Sequence, residues 1–469
     1  MHWSPDGSNQ RVSFRTIGCK LNQAETATLA ALCQKRGYQI VPFRQPADLT
    51  IINTCTVTSE ADAKSRQSIH QAAQASPRGM VAVVGCYAQV RPDEVVNQTD
   101  VDIILGNREK FQLLDILALL EDDKCEKPLV RVESMPIEDT CSQFENITDE
   151  AGYGHWKGST DSGINRTRAL LKVQDGCDYG CSYCIVPIAR GKSCSRALTD
   201  CVRESQGLVS AGYHEIVLTG ANIGTWKSDH LRFHDLLRAV SNVEGLRRIR
   251  VSSIEPNLIT DDIINLVTER ENIAPHFHIP LQHGSDRVLK AMQRRYRISD
   301  YRLVLDRITE ALPDAAIGAD VIVGFPNETE NDFQQLVRVL GELPLTYLHI
   351  FRYSERRGTD AAMMTNLVDP VQRKERSRII AEIDRQKRLV MAKRFLGQNR
   401  LVHFERPTGN GLWEGLTDNY LRVRVAVPSY PTDPFRSVIL TEYNDSVFIG
   451  RLWENDYPGR IQSKPLGAL

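Results

Sequence analysis

The chain has 469 residues, more than one hydrophobic core supports, so two or three domains are expected. Its 58 Lys and Arg against 59 Asp and Glu leave it nearly neutral, which excludes a globally basic nucleic-acid binder and confines phosphate contacts to local patches. Residues 1–10 lack the apolar core of a signal peptide, no uninterrupted apolar run spans a bilayer, and neither a Walker A loop nor a dinucleotide fingerprint occurs.

A cytoplasmic chain is therefore expected, acting as a monomer away from membranes, and its 11 cysteines read as metal ligands or catalytic groups and not as disulfides. The first segment alternates apolar runs at 12–17, 49–53, 80–84 and 101–105 with helical patterns such as 22–36 and 61–75, which predicts a parallel sheet flanked by helices. Cys19, Cys55 and Cys86 each follow one of these strands by one or two residues. Strand ends of that kind face one edge of an open parallel sheet, so the three can converge, although a free cysteine is more often a small buried hydrophobe.

From 121 to 165 the chain turns polar, with no sustained period, and reads as a linker or an ordered excursion. A second series then places strands at 169–173, 215–218, 248–252, 276–281, 316–323 and 347–353, which suits an incomplete α/β barrel with its active site at the strand C-terminal ends. Just beyond the first of these lies Cys177-Asp-Tyr-Gly-Cys181-Ser-Tyr-Cys184, three thiols on one short loop. A cubane iron–sulfur cluster closed by protein takes four cysteines, so a trio leaves one iron open to substrate. The alternative, structural zinc, usually uses paired Cys-x-x-Cys hooks.

The stretch 373–397 reads as one helix ending at a glycine cap, with nine basic residues against three acidic ones, a candidate phosphate-binding face. Short strands at 401–405, 421–427, 438–441 and 447–452, separated by turn residues, predict a small closed β-barrel. The expected division is 10–120, a linker over 121–165, 166–396, and 397–460.

Cys-x-x-x-Cys-x-x-Cys is the signature of radical S-adenosylmethionine (SAM) enzymes. Together with Gly18-Cys19-Lys20-Leu21-Asn22, Asn53-Thr54-Cys55-Thr56-Val57-Thr58 and Gly85-Cys86-Tyr87-Ala88-Gln89, it makes the chain resemble the radical SAM methylthiotransferases over nearly its whole length. The resemblance implies an N-terminal methylthiotransferase domain, a partial (β/α)6 radical SAM barrel and a C-terminal TRAM barrel. It implies two [4Fe–4S] clusters, one on Cys19, Cys55 and Cys86 and one on Cys177, Cys181 and Cys184, with SAM cleaved at the second to a 5′-deoxyadenosyl radical. The first would carry the sulfur, a further SAM would methylate it, and a methylthio group would replace a C–H.

Thr219-Gly220, Ser253 and Glu255, and Gly324-Phe325-Pro326 resemble the parts of the family barrel that contact SAM. The chain departs from the family at Asn327, where a second glycine is usual and where asparagine can keep the turn, and at His283 in Gln282-His283-Gly284. His276, His278 and His283 suggest a metal site by alternation, but packing and hydrogen bonding are the preferred reading. Cys33, Cys125, Cys141, Cys194 and Cys201 lack partners at ligand spacing and are expected to be structural or incidental.

Gly18-Cys19-Lys20-Leu21-Asn22-Gln23-Ala24-Glu25 and Ala63-Lys64-Ser65-Arg66-Gln67 most resemble the branch that acts on N6-threonylcarbamoyladenosine at position 37 of the tRNA anticodon loop. The resemblance implies tRNA, an electron donor and a sulfur source as partners. Lys64, Arg66, Arg190, Lys192, Arg196, Arg294 and Arg295 are candidate phosphate contacts, whereas residues from Leu401 onward carry seven basic and eight acidic side chains and make no electrostatic case for RNA. Isopentenyladenosine-37, an aspartate of a ribosomal protein, and a non-catalytic RNA-binding metalloprotein are the alternatives.

Overall fold

The computed structural model describes residues 10–118, 128–133, 167–427 and 433–453. The N-terminal apolar runs become strands because their β-branched residues are buried on both sheet faces, as parallel sheets require. They are β1 (Arg11–Thr16), β2 (Gln39–Val41), β3 (Leu49–Thr54), β4 (Met80–Gly85), β5 (Ile103–Leu105) and β6 (Leu129–Arg131), all parallel, in the order β2-β1-β3-β4-β5-β6. Helix α1 (Lys20–Lys35) packs Leu29, Ala30 and Cys33 against Val12, Phe14, Leu49 and Ile51. On the opposite face α2 (Ser59–Ala75) packs Ile69 and Ala72 against Ile52, Val81 and Val83. Strands β2 and β6 have three residues each, too few to display a period. The second of them lies inside the expected linker; apart from 128–133 that linker, with Cys125 and Cys141, lies outside the described residues.

The short helices α3 (Cys86–Val90) and α4 (Val186–Arg190) pack against each other. The second series gives the six expected strands: β7 (Arg168–Lys172), β8 (Glu215–Thr219), β9 (Arg248–Val251), β10 (His276–His278), β11 (Ala316–Val323) and β12 (Tyr347–Arg352). They form two parallel ladders, β9-β8-β7 and β10-β11-β12, joined by bridges at Ile249↔Ile273 and Ser253↔His278. Alternation puts Leu171, Ile216, Leu218, Ile249, Phe277 and Ile317 into the outer core, leaving a hollow face lined by polar side chains. Strand β10 ends three residues sooner than expected, because Pro280 has no N–H for a ladder.

Helix α5 (Pro370–Phe395) starts at an Asp369 cap whose carboxylate accepts from Val371 N, and ends before Gly397 at φ +81. Its expected phosphate face is largely occupied: Arg376 is buried against Glu328, while Arg378, Arg385, Arg388 and Arg394 pair with Glu375, Glu382, Asp384 and Asp314. Beyond it, β13 (Asn399–Gly409), β14 (Leu412–Thr417), β15 (Arg422–Ala426), β16 (Phe435–Asn444) and β17 (Val447–Leu452) close into a barrel in the order β13-β14-β15-β17-β16. Sequence reading misses β14, whose central Glu414 is buried among Arg406, Arg422 and Arg424 and so breaks the apolar alternation. No helix among the described residues is long and apolar enough to cross a membrane.

Candidate functional site

Strands β1, β3 and β4 are adjacent and parallel, so their C-terminal ends deliver Cys19, Cys55 and Cys86 to one edge. Two glycines at positive φ make the approach possible: Gly18 at +106 and Gly85 at +95. A Cβ on Gly18 would lie 2.5 Å from Cys55 Cβ and 2.7 Å from its Sγ, so the first strand end runs against the second cysteine. Burial pushes the Cys55 thiol up to about 12, with Cys86 and Cys19 adding to it. Burial also raises Cys19, which Arg190 opposes and Cys86 reinforces. Cys19 is nevertheless exposed by area, which fits a thiol opening into a recess walled by protein.

Asn22 and Asn107 tie this edge down. Asn22 Nδ2 donates to Ile17 O and Thr54 O, both at 2.8 Å, fixing the two strand ends. Asn107 Nδ2 donates to Ala189 O in α4 at 2.7 Å and faces Cys86 Sγ at 3.5 Å.

The second trio needs no convergence. The loop leaves Gly176 at φ +65, where a Cβ would meet Lys192 O at 1.9 Å, and it is pinned by Cys177 N to Gly191 O and Ser182 N to Met292 O. Asn222 Nδ2 faces Cys177 Sγ at 3.6 Å, and Arg294 Nη1 faces Cys181 Sγ at 3.2 Å while pairing with Glu255. Burial raises Cys177 and Cys181 and pushes Cys184 up to about 12, with Cys181 adding to the shift of both Cys177 and Cys184. Three neighbouring thiols faced by amide and guanidinium donors are a donor set suited to binding as thiolates, with protons released when metal enters.

A buried charge cluster joins the two edges. Arg190, six residues after Cys184, donates to Glu25 Oε1 and Asp175 Oδ1 at 2.9 Å and to Asn22 Oδ1 at 2.6 Å. Lys172 and Lys110 reach the same Glu25 at 2.9 and 2.7 Å. Burial alone would raise Glu25, but Arg190, Lys110 and Lys172 hold it well below the usual carboxylate range. The helix α4 thus carries the chain from one trio to the other over about 7 Å of axis.

Among the residues expected at SAM, Gly220, Ser253 and Glu255 are half-buried at strand ends. Ser253 Oγ shares a 2.5 Å hydrogen bond with His278 Nδ1. Thr219, Gly324, Phe325 and Pro326 are buried. The N–H groups of Gly324 and Phe325 donate to Glu328 Oε2 at 2.6 and 3.1 Å, and Phe325 packs edge-on against Tyr183 of the cysteine loop. Asn327 holds φ +63, so the turn survives the departure from glycine.

His276 bonds Tyr347 and stacks on Tyr420, and buried His283 faces Glu328, in keeping with packing roles. His278 instead groups with Asp320 and His349, a trio that sequence alternation did not point to. Cys33, Cys194 and Cys201 are buried. The RNA expectation needs correction at three arginines: Arg190 and Arg196 are buried against carboxylates, and Arg294 is taken by Glu255. Lys64, Arg66, Lys192 and Arg295 remain exposed. Asn107, Asn222, Lys110 and Asp175 were missed, because single polar residues without motif spacing carry no local signal.

A six-stranded open barrel with a three-cysteine loop after its first strand defines a radical SAM enzyme, here carrying an added α/β domain and a small β-barrel. Residues 171–340 match the radical SAM superfamily and residues 11–106 match uncharacterized protein family UPF0004. The chain is 38% identical to threonylcarbamoyladenosine tRNA methylthiotransferase MtaB of Bacillus subtilis, over 88% of this chain and 89% of that one. It is 35% identical to tRNA-2-methylthio-N(6)-dimethylallyladenosine synthase of Thermobifida fusca, over 79% and 72%. In fold it is similar to the radical SAM methyltransferase TsrM of Kitasatospora setae, with TM-score 0.56 and 15% identity over 75% and 77% of the chains. The chain belongs to the radical SAM methylthiotransferase family.

Proposed function

We propose that the chain replaces the C2 hydrogen of N6-threonylcarbamoyladenosine at position 37 of tRNA with a methylthio group. The observation that carries this reading is the delivery of Cys19, Cys55 and Cys86 to one sheet edge, bound through Asn107 and Arg190 to the helix that follows Cys184. Relatives named for threonylcarbamoyladenosine, at 34–38% identity over 88% of the chain, support the substrate.

In this reading Cys177, Cys181 and Cys184 hold one [4Fe–4S] cluster and Cys19, Cys55 and Cys86 a second. With SAM bound, the first supplies one-electron cleavage of a sulfur–carbon bond, which no protein acid or base provides. The protein's part is positional. Arg294 and Asn222 offset negative charge on the loop sulfurs, and Glu255 fixes Arg294. The Arg190 cluster sets the spacing of the two edges, and Lys64, Arg66, Lys192 and Arg295 are left for RNA phosphates. An electron donor and a sulfur source complete the partners.

Nucleoside mass spectrometry of tRNA from a deletion strain tests the substrate. Loss of 2-methylthio-N6-threonylcarbamoyladenosine, with its unthiolated precursor accumulating, is the expected result. Loss of the methylthio-isopentenyl nucleoside in its place would move the chain to the other tRNA branch.

A further inference from the structure

The loop that follows β5 is fastened to the helix that begins at Cys86. Gly106 N donates to Arg131 O at 3.0 Å, and a Cβ on Gly106 would lie 2.4 Å from Gln89 Oε1. The same oxygen accepts the N–H of Asn107 at 2.8 Å, and Gln89 stands three residues beyond Cys86 in α3. The backbone of Asn107 is thereby held beside the Cys86 sulfur, and the residue is only 2% exposed.

The side chain is held as firmly. Of the two hydrogens on Asn107 Nδ2, one meets Ala189 O at 2.7 Å and the other faces Cys86 Sγ at 3.5 Å, while Oδ1 accepts Lys110 Nζ at 2.9 Å. Lys110 is itself buried against Glu25 at 2.7 Å. Turned over, the amide would set its oxygen against a carbonyl and a sulfur and its NH2 against an ammonium, so its neighbours fix which end faces Cys86. Cys19 has the opposite neighbour. Its Sγ lies 3.8 Å from Asn22 Oδ1, an acceptor that takes Arg190 Nη2, because Asn22 Nδ2 is engaged by Ile17 O and Thr54 O. The loop trio differs again, facing the charged guanidinium of Arg294 at Cys181 as well as the Asn222 amide at Cys177.

We propose that Asn107 is a positioning residue that sets the reduction potential of the N-terminal cluster by donating an N–H to the Cys86 sulfur, in an orientation imposed by Lys110 and Ala189. This rests on the second cluster of the function proposed above. A hydrogen-bond donor at a ligand sulfur favours the form of a cluster that carries one more electron, and so raises its potential. Ala189 belongs to α4, which begins two residues after Cys184, so the amide that tunes one edge is anchored on the other. Its donor is neutral where the loop edge has a guanidinium, and the two edges are therefore tuned by different groups.

The test uses the full chain reconstituted with iron and sulfide, its potentials read by redox titration followed by electron paramagnetic resonance. A protein carrying Cys177→Ala, Cys181→Ala and Cys184→Ala identifies which wave belongs to the N-terminal cluster. Asn107→Leu, close in size and without an N–H, is expected to keep about eight irons per chain and the wave of the loop cluster. Its N-terminal cluster should become about tenfold harder to reduce, which for one electron is a shift of about 59 mV to lower potential. Asn107→Asp, which sets a carboxylate at the sulfur, should move the wave further the same way. An N-terminal wave unmoved in a loaded Asn107→Leu protein overturns the assignment while the two-cluster reading stands. So does loss of that cluster from both variants, which would make Asn107 a folding residue alone, and so does a wild-type N-terminal cluster that no potential reduces. A wild type that holds only about four irons overturns the two-cluster reading itself.

Discussion

The two cysteine edges reach similar donor sets by opposite routes. Cys177, Cys181 and Cys184 come from eight consecutive residues, so their chemistry is written in their spacing. Cys19, Cys55 and Cys86 are spread over 68 residues and meet only because three parallel strands are neighbours and end together. A local site survives as long as its loop does. A convergent site depends on strand register, on two left-handed glycines and on the buried charges that dock its sheet on the barrel.

The sharpest way to break the comparison is to remove one sulfur from each edge. Cys181→Ala should abolish reductive SAM cleavage, measured as 5′-deoxyadenosine, whereas Cys55→Ala should retain uncoupled cleavage and lose sulfur transfer. Equal and complete loss of cleavage in both folded proteins would mean that the edges do not divide the work. Gly18→Ala comes next. A left-handed φ of +106 and a Cβ placed 2.5 Å from that of Cys55 should cost the convergent edge its metal, removing about half of the iron while the loop edge keeps its own. Iron and sulfide assays on the reconstituted protein decide it.

Glu25→Gln tests the docking charge. It leaves Arg190, Lys110 and Lys172 around an uncharged amide and should cost about 3–5 kcal/mol in denaturant unfolding. Its pH dependence has a definite sign. Arg190, Lys110 and Lys172 overcome burial and hold the Glu25 carboxyl well below its unfolded value near 4, so its stabilisation is complete above that pH and is lost as pH falls toward the folded value. The gap between wild type and variant should therefore be constant from pH 6 to 8 and close below about pH 4. A gap that widened in acid would contradict the pairing. The smallest effect is expected at Cys33→Ala, on the buried face of α1: about 1 kcal/mol of stability, with unchanged iron content.

How much could be read beforehand follows the same division. The six barrel strands were legible because β-branched runs recur between helical patterns, and the loop motif because its spacing is compact. Strand β14 was hidden by Glu414, whose charge is neutralised by arginines that antiparallel pairing with the two flanking strands brings near. Arg190 and Arg196 looked available to RNA because a sequence does not show which charges are buried in pairs.

The sequence by itself determined the domain order, the six cysteines and the local loop, since periodicity and short spacing are properties of neighbours along the chain. Tertiary structure decided that Cys19, Cys55 and Cys86 share an edge and that Glu25, Asp175 and Arg190 lock that edge to the barrel. Those facts depend on contacts between residues up to 165 positions apart, which strand order creates and no local pattern encodes.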